Sequence, residues 1–88
     1  MLETLGDQAG VAASLGQMGR LLTATERYDE ALPRLRAALS LFIQLESPDA
    51  GKVANFLRQL RGKWGAEKFD DAWRKETEGA ELPDWLEE

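Results

Sequence analysis

The chain has 88 residues, of which 43% are hydrophobic and 31% charged, and its net charge at pH 7 is −5. This length fits one domain with a modest core, and the composition is too apolar for a disordered chain. Cysteine and histidine are both absent, which excludes disulfides, thiolate metal sites, thiol nucleophiles and imidazole bases. We therefore predict a protein that is not an enzyme and that uses no cofactor and no metal.

The acidic balance argues against nonspecific binding to nucleic acid. No apolar run approaches the roughly 20 residues that span a bilayer, so we expect no membrane association. The N-terminal sequence MLETLGDQAG lacks the basic start and apolar centre of a signal peptide. A cytoplasmic location is the expectation that follows.

Apolar residues recur at helical spacing in four segments, and none of these segments alternates as a strand does. The spacing predicts helices at about residues 7–24, 27–46 and 49–64, and a fourth helix that begins near residue 68. Short connections make neighbouring helices antiparallel. The fold class is therefore predicted as all-α, with these apolar stripes in chain order: Val11, Leu15, Met18 and Leu22; Tyr28, Ala31, Leu32, Leu35, Ala38, Leu39 and Phe42; Val53, Phe56, Leu57, Leu60 and Trp64; Phe69, Ala72 and Trp73.

The joints between the stripes carry residues that begin or end helices. Thr25 can cap the second helix through its hydroxyl, and Pro48 suits the first turn of the third. Gly65 ends the third helix, because glycine tolerates the left-handed conformation found just past many helix C-termini. Pro33 favours a start of the second helix near Tyr28, which leaves the proline close to the first turn.

The sequence repeats itself at a distance of 41 residues. This shift lays residues 7–32 on residues 48–73, and seven of the 26 aligned positions are identical. The most informative match is YDEA (28–31) against FDDA (69–72), an aromatic residue, two acids and an alanine after helices of the same length. The two helix pairs are therefore predicted to have the same structure.

These residues give the sequence a resemblance to the tetratricopeptide repeat family. Gly19, Tyr28, Ala31 and Ala38 match its pattern of a small residue late in the first helix, then aromatic-x-x-Ala, then a second alanine seven residues on. The period exceeds the family's usual length of about 34 residues and, with the proline in EALPRLRAAL, resembles the long repeats of large bacterial regulators. The second repeat departs from the pattern, since Leu60 stands where the glycine is expected.

The resemblance implies a short α-solenoid of antiparallel helix hairpins, about four helices with a C-terminal cap. LETLGDQAG echoes QLESPDAG (44–51), where a second helix ends and a new repeat begins. We therefore interpret the chain as the C-terminal fragment of a longer solenoid. The predicted divisions of the single domain are a remnant of a preceding helix (1–6), repeat 1 (7–47), repeat 2 (48–79) and an acidic cap (80–88).

Members of the family bind peptides or helices on the surface that the first helix of each pair lines. The resemblance thus implies a protein–protein interaction module, a scaffold or sensor segment of a bacterial regulatory protein. The predicted partner-binding residues are Arg20, Arg58, Arg61 and Trp64, because a row of guanidinium groups suits a protein or acidic peptide. Alternatively, the arginines are solvated or paired within the chain, and Trp64 serves packing.

A structural role is the alternative function, in which the chain is a C-terminal cap and self-association element without a separate ligand. A bare outer face on the first repeat would be covered by another copy, so we expect a homo-oligomer. Trp73 is predicted to lie in the core. Trp85 is expected to fold back over the last helix with Leu82 and Leu86, unless the acidic tail is itself a ligand for a basic groove.

Overall fold

The chain folds into four consecutive α-helices. A computed structural model describes the backbone of residues 2–79 and 82–86, and the side chains of residues 7–79 and 82–86. The helices are α1 (Leu2–Ala24), α2 (Tyr28–Gln44), α3 (Asp49–Trp64) and α4 (Ala66–Glu76), and a 3₁₀ turn (Asp84–Leu86) follows. Within these ranges there is no strand, and the helices pack against one another. The predicted all-α class is therefore confirmed.

The packing follows the order of the chain. Helix α1 packs chiefly on α2, α2 also packs on α3, and α3 contacts both α4 and the 3₁₀ turn. Their buried side chains form one core cluster, and no described helix combines the length and apolar character that crossing a membrane requires. Trp73 belongs to the core, as predicted. The cluster consists of Ala12, Ala31, Leu32, Leu35, Ala38, Phe42, Val53, Leu57, Leu60, Phe69, Trp73 and Leu86.

Helix α1 begins at Leu2, five residues earlier than the spacing predicts. Residues 2–6, expected to be the remnant of a preceding helix, are continuous with α1, and Met1 lies outside the described residues. The sequence has no proline here. Gly6 costs only about 1 kcal/mol relative to alanine in a helix interior, which does not interrupt a helix of 23 residues.

The buried face of α1 differs from the predicted one. Val11 is 52% exposed and Met18 is 43% exposed, although both belong to the stripe that we expected inside. The residues that are buried lie one position further along at the same spacing, about 100° around the helix. They are the small residues Ala12, Gly16, Gly19 and Thr23.

Close contact between α1 and α2 explains why small residues face inward. A Cβ atom at Gly19 would overlap the side chain of Leu35 and lie 3.4 Å from the carbonyl oxygen of Ala31. At Gly16, a Cβ would contact Ala38 of α2 at 4.0 Å and Val53 of α3 at 3.8 Å. The distance between helix axes depends on the side chains at the contact, so glycine at these two positions lets α2 come close.

The two helix pairs bury the same registers. Under the shift of 41 residues, four positions of the first pair and their counterparts in the second are all buried. The repeated sequence thus has a counterpart in the packing, although the residues themselves change in size. The four matched positions are Ala12 and Val53, Gly16 and Leu57, Gly19 and Leu60, and Leu32 and Trp73.

Helix α2 begins at Tyr28, as predicted, but Thr25 does not cap it. The hydroxyl of Thr25 instead donates to the carbonyl oxygen of Leu21 at 3.1 Å, because Thr25 follows the last turn of α1 and bonds back onto it. Pro33 is the sixth residue of α2, in its second turn. It is exposed, and the helix gives up one backbone hydrogen bond there.

The turns after α1 and α2 have the same backbone geometry. The N–H of Arg27 donates to the carbonyl oxygen of Leu22 (2.8 Å), and the N–H of Ser47 donates to that of Phe42 (2.9 Å). In each of these Schellman-type turns the residue before the donor has positive φ, 64° at Glu26 and 54° at Glu46. Glycine usually occupies this position, so both glutamates adopt a conformation that is unfavourable for them.

Replacing Gly19 with alanine should destabilise the fold by about 1–3 kcal/mol, because the added methyl group overpacks the contact with Leu35. Gly10→Ala is the control in the same helix, since a Cβ there meets nothing within 4 Å. It should stabilise the fold by about 0.5–1 kcal/mol. Urea unfolding followed by circular dichroism measures both, and equal effects of the two changes would contradict the described α1–α2 packing.

Replacing Glu26 or Glu46 with glycine should stabilise the fold by about 0.5–1 kcal/mol, because glycine adopts positive φ without steric cost. Ser40→Gly is the control, since Ser40 is exposed within α2. It should cost about 0.5 kcal/mol through helix propensity. Thermal unfolding distinguishes the two groups, and a loss of stability at Glu26 or Glu46 would argue against the left-handed turns.

Candidate protein-interaction site

Two of the predicted site arginines hold the end of the chain against α3. The C-terminal segment (82–86) contains the 3₁₀ turn. Arg58 donates from Nη1 to the carbonyl oxygen of Trp85 at 3.2 Å, and Arg61 donates from Nη1 to that of Leu86 at 3.4 Å. Leu86 is only 2% exposed. The surface expected to receive a partner is therefore occupied by this chain's own segment.

Arg61 also joins α3 to α4. Its Nε and Nη2 donate to Oδ1 and Oδ2 of Asp70 at 3.0 and 3.2 Å, and both side chains are largely withdrawn from solvent, at 23% and 21% exposed. Two parallel hydrogen bonds from a guanidinium to a carboxylate are strong and directional. Arg61 thus contacts both α4 and the C-terminal segment through its side chain.

Arg20 does not share a row with Arg58 and Arg61. Its guanidinium carbon lies 5.8 Å from the ring centroid of Phe56 on α3, within the range of a cation–π contact. Arg20 and Arg61 occupy equivalent repeat positions, and each contacts an element that follows its own helix pair. In the first pair that element is α3, and in the second it is the C-terminal segment, so the two arginines contact different parts of the molecule.

Trp64 lies among other aromatic side chains. It is half-buried, with its ring centroid 6.1 Å from that of Tyr28 and 6.4 Å from that of Phe69. Phe69 in turn stacks on Trp73 at 5.9 Å. Offset and edge contacts at these separations stabilise a core. Trp64 therefore packs between α2, α3 and α4 through these ring contacts.

The position of the C-terminal segment differs from the expectation that it covers α4. Its 3₁₀ turn contacts α3 and no other helix, and within the segment Leu82 and Trp85 are half-buried and Leu86 is buried. The sequence contains a signal for this arrangement, since residues 52–63 carry four basic and no acidic side chains, and residues 76–88 carry six acidic and no basic ones. Opposite charges favour their association.

The apolar face of α1 is the feature that the sequence prediction assigned to the core. Val11, Met18 and Leu21 are 52%, 43% and 67% exposed, whereas Leu15 and Leu22 are half-buried and pack against the core cluster. We define these five residues as the outer face of α1. With Ser14, they occupy the a, d and e positions of two heptads, the pattern of a helix that packs against another helix.

Charge is nearly absent around this outer face. Between residues 8 and 25 the sequence has a single charged side chain, that of Arg20, and Arg20 contacts Phe56. Among the described residues, no group of three or more His, Cys, Asp or Glu side chains could hold a metal ion. The arrangement therefore offers apolar contact surface and no assembled set of metal ligands.

No protein-family model, no curated protein and no solved structure matches the chain. Two surfaces of the molecule bear on its function, the outer face of α1 and the side of α3 that bears Arg58.

Replacing Asp70 with alanine should cost about 1–2 kcal/mol of stability, because it removes two charge-assisted hydrogen bonds from a largely buried arginine. Asp71→Ala is the control. Asp71 pairs with Lys75 at 3.2 Å on an exposed surface, with side chains 60% and 78% exposed, so its loss should change stability by less than about 0.5 kcal/mol. Urea unfolding compares them, and equal losses would contradict the role of Asp70.

Proposed function

We propose that this chain is a non-catalytic protein–protein interaction module that associates with a second copy of itself through the outer face of α1. The observation that carries the proposal is an uncharged, heptad-patterned and exposed apolar face on the first helix. Solvent-exposed apolar patches on small proteins mark interaction surfaces. The cytoplasmic location expected from the sequence remains part of this proposal.

A tetratricopeptide-like architecture is part of the same proposal. Its supports are the close α1–α2 contact at Gly19 and the buried registers shared by the two helix pairs. In a solenoid, each repeat buries a face against its neighbour. The long period favours a scaffold or sensor segment of a bacterial regulatory protein as the setting.

Self-association suits the outer face because a twofold interface brings each residue near its own copy. Like charges opposite each other would repel, and an isologous interface must be complementary to itself. Residues 8–19 carry no charge in a chain that is 31% charged. Ser14 adds a small side chain between Val11 and Met18, which allows two α1 helices to approach closely.

The far side of the molecule favours a closed dimer over a chain of stacked copies. The C-terminal segment covers the face of α3 that bears Arg58 and Arg61. In the first pair, the equivalent face contacts the next helix, as the contact of Arg20 with Phe56 demonstrates. Head-to-tail stacking would need this covered face to be free, whereas association through two α1 helices leaves it untouched.

The second candidate function is the one predicted from the resemblance, the binding of a protein or acidic peptide on the first-helix face. Arg58 favours it, since its described hydrogen-bond partners are the carbonyl oxygen of Trp85 and the side-chain oxygen of Asn55, and neither is charged. In this second candidate function, the outer face of α1 does not contact the partner.

Met18→Glu should convert a dimer into a monomer, because it places two like charges in the apolar interface. Ile43→Glu is the control, since Ile43 is also exposed, at 59%, but belongs to α2. Light scattering behind a sizing column at high micromolar concentration measures the mass. A monomeric wild-type chain, or a dimer that Met18→Glu leaves intact, would overturn self-association through α1.

A further inference from the structure

We propose that the side of α3 bearing Asn55, Arg58 and Arg61 is a binding site for an acidic protein segment with an aromatic–aliphatic pair, and that the chain's own C-terminal segment occupies it as a displaceable ligand. This inference concerns a different surface from the outer face of α1. It does not rest on self-association.

The C-terminal segment is bound as a peptide ligand would be. The helix contacts of its 3₁₀ turn are with α3 alone, Leu86 is buried as the apolar anchor, and Trp85 lies beside it half-buried. Arg58 recognises a backbone carbonyl group, which every peptide offers. The side chains that select a ligand here are therefore the aromatic and aliphatic residues of the turn.

The hydrogen bonds to the segment leave room for a stronger ligand. Arg58 reaches the neutral carbonyl oxygen of Trp85 at 3.2 Å, at the long end of the usual N–H···O range. A carboxylate would accept shorter, charge-assisted bonds from a guanidinium. Within the described residues Arg58 has no carboxylate partner. An acidic side chain on a partner segment would therefore form an ion pair with Arg58 that the 3₁₀ turn of this chain does not form.

Charge favours an acidic occupant. The basic side chains on this side of α3 are Arg58 and Arg61, of which Arg61 is paired with Asp70, whereas residues 76–88 carry six acids and no base. The chain's own C-terminal segment competes with a partner for this site at a high effective concentration, because it is attached to the same chain. A partner therefore gains access when it binds more tightly than the tail or when the tail is removed from the site.

The probe is a fluorescently labelled peptide with the sequence of residues 79–88, GAELPDWLEE, and the readout is anisotropy with unlabelled full-length protein. In the tail variant, Trp85→Ala and Leu86→Ala together empty the site. We expect the tail variant to bind the peptide at least about tenfold more tightly than the wild type, because the competing segment is gone. Equal affinity for the two proteins would overturn the inference.

Arg58→Gln in the tail variant should weaken peptide binding by about tenfold, the effect of one hydrogen bond from a charged donor. Arg34→Gln in the same background is the matched control, since Arg34 is exposed on α2 and its loss removes the same charge. Equal effects of the two substitutions, or equal binding of a scrambled peptide, would reduce the interaction to nonspecific charge attraction and overturn the inference.

Circular dichroism establishes that each variant is folded. If the double variant is not, Leu86→Ala alone takes its place, because it removes the buried anchor of the segment and keeps Trp85. Light scattering behind a sizing column on the same samples distinguishes self-association through α1 from peptide binding on α3. A monomer that binds the peptide would overturn only self-association, and a dimer that does not bind it would overturn only the site on α3.

Discussion

The fold depends on how closely α1 and α2 approach each other at Gly19. The side chain of Leu35 takes the space that a Cβ at this position would fill, so a larger residue would force the two helices apart. Gly16, one turn away, faces Ala38 and Val53 and extends the close contact to α3. Dispersion forces fall steeply with distance. The small residues of α1 therefore stabilise this helix pair because they let α2 pack at a shorter distance.

The same constraint places apolar residues on the surface. A helix that turns its small residues inward must turn its larger ones elsewhere, and in α1 these are Val11, Met18 and Leu21. In the second pair the corresponding inward positions carry Leu57 and Leu60. Helix α3 therefore resembles an ordinary amphipathic helix, while α1 has a second apolar face that its own hairpin does not bury.

The sequence predicted α3 with correct bounds because Pro48 and Gly65 mark its two ends. It wrongly placed Val11 and Met18 of α1 in the core, because periodicity weighs hydrophobic size and gives glycine no weight. The position of Arg61 was out of reach in a different way. Arg61 contacts Asp70, which lies on the next helix, and the backbone of Leu86, which lies 25 residues further along the chain. The spacing of residues along α3 contains no information about contacts with other elements.

The two ends of the molecule differ in chemistry. At one end α1 offers an uncharged apolar face, and at the other Arg58 and Arg61 bind the C-terminal segment through its backbone carbonyl groups. A solenoid whose two ends were complementary would continue to stack, as heterologous contacts do. Here the uncharged face of α1 is not complementary in charge to the side of α3 that bears Arg58, which the C-terminal segment already covers. Growth by stacking would require the C-terminal segment to leave α3, whereas the proposed association through α1 leaves that segment in place.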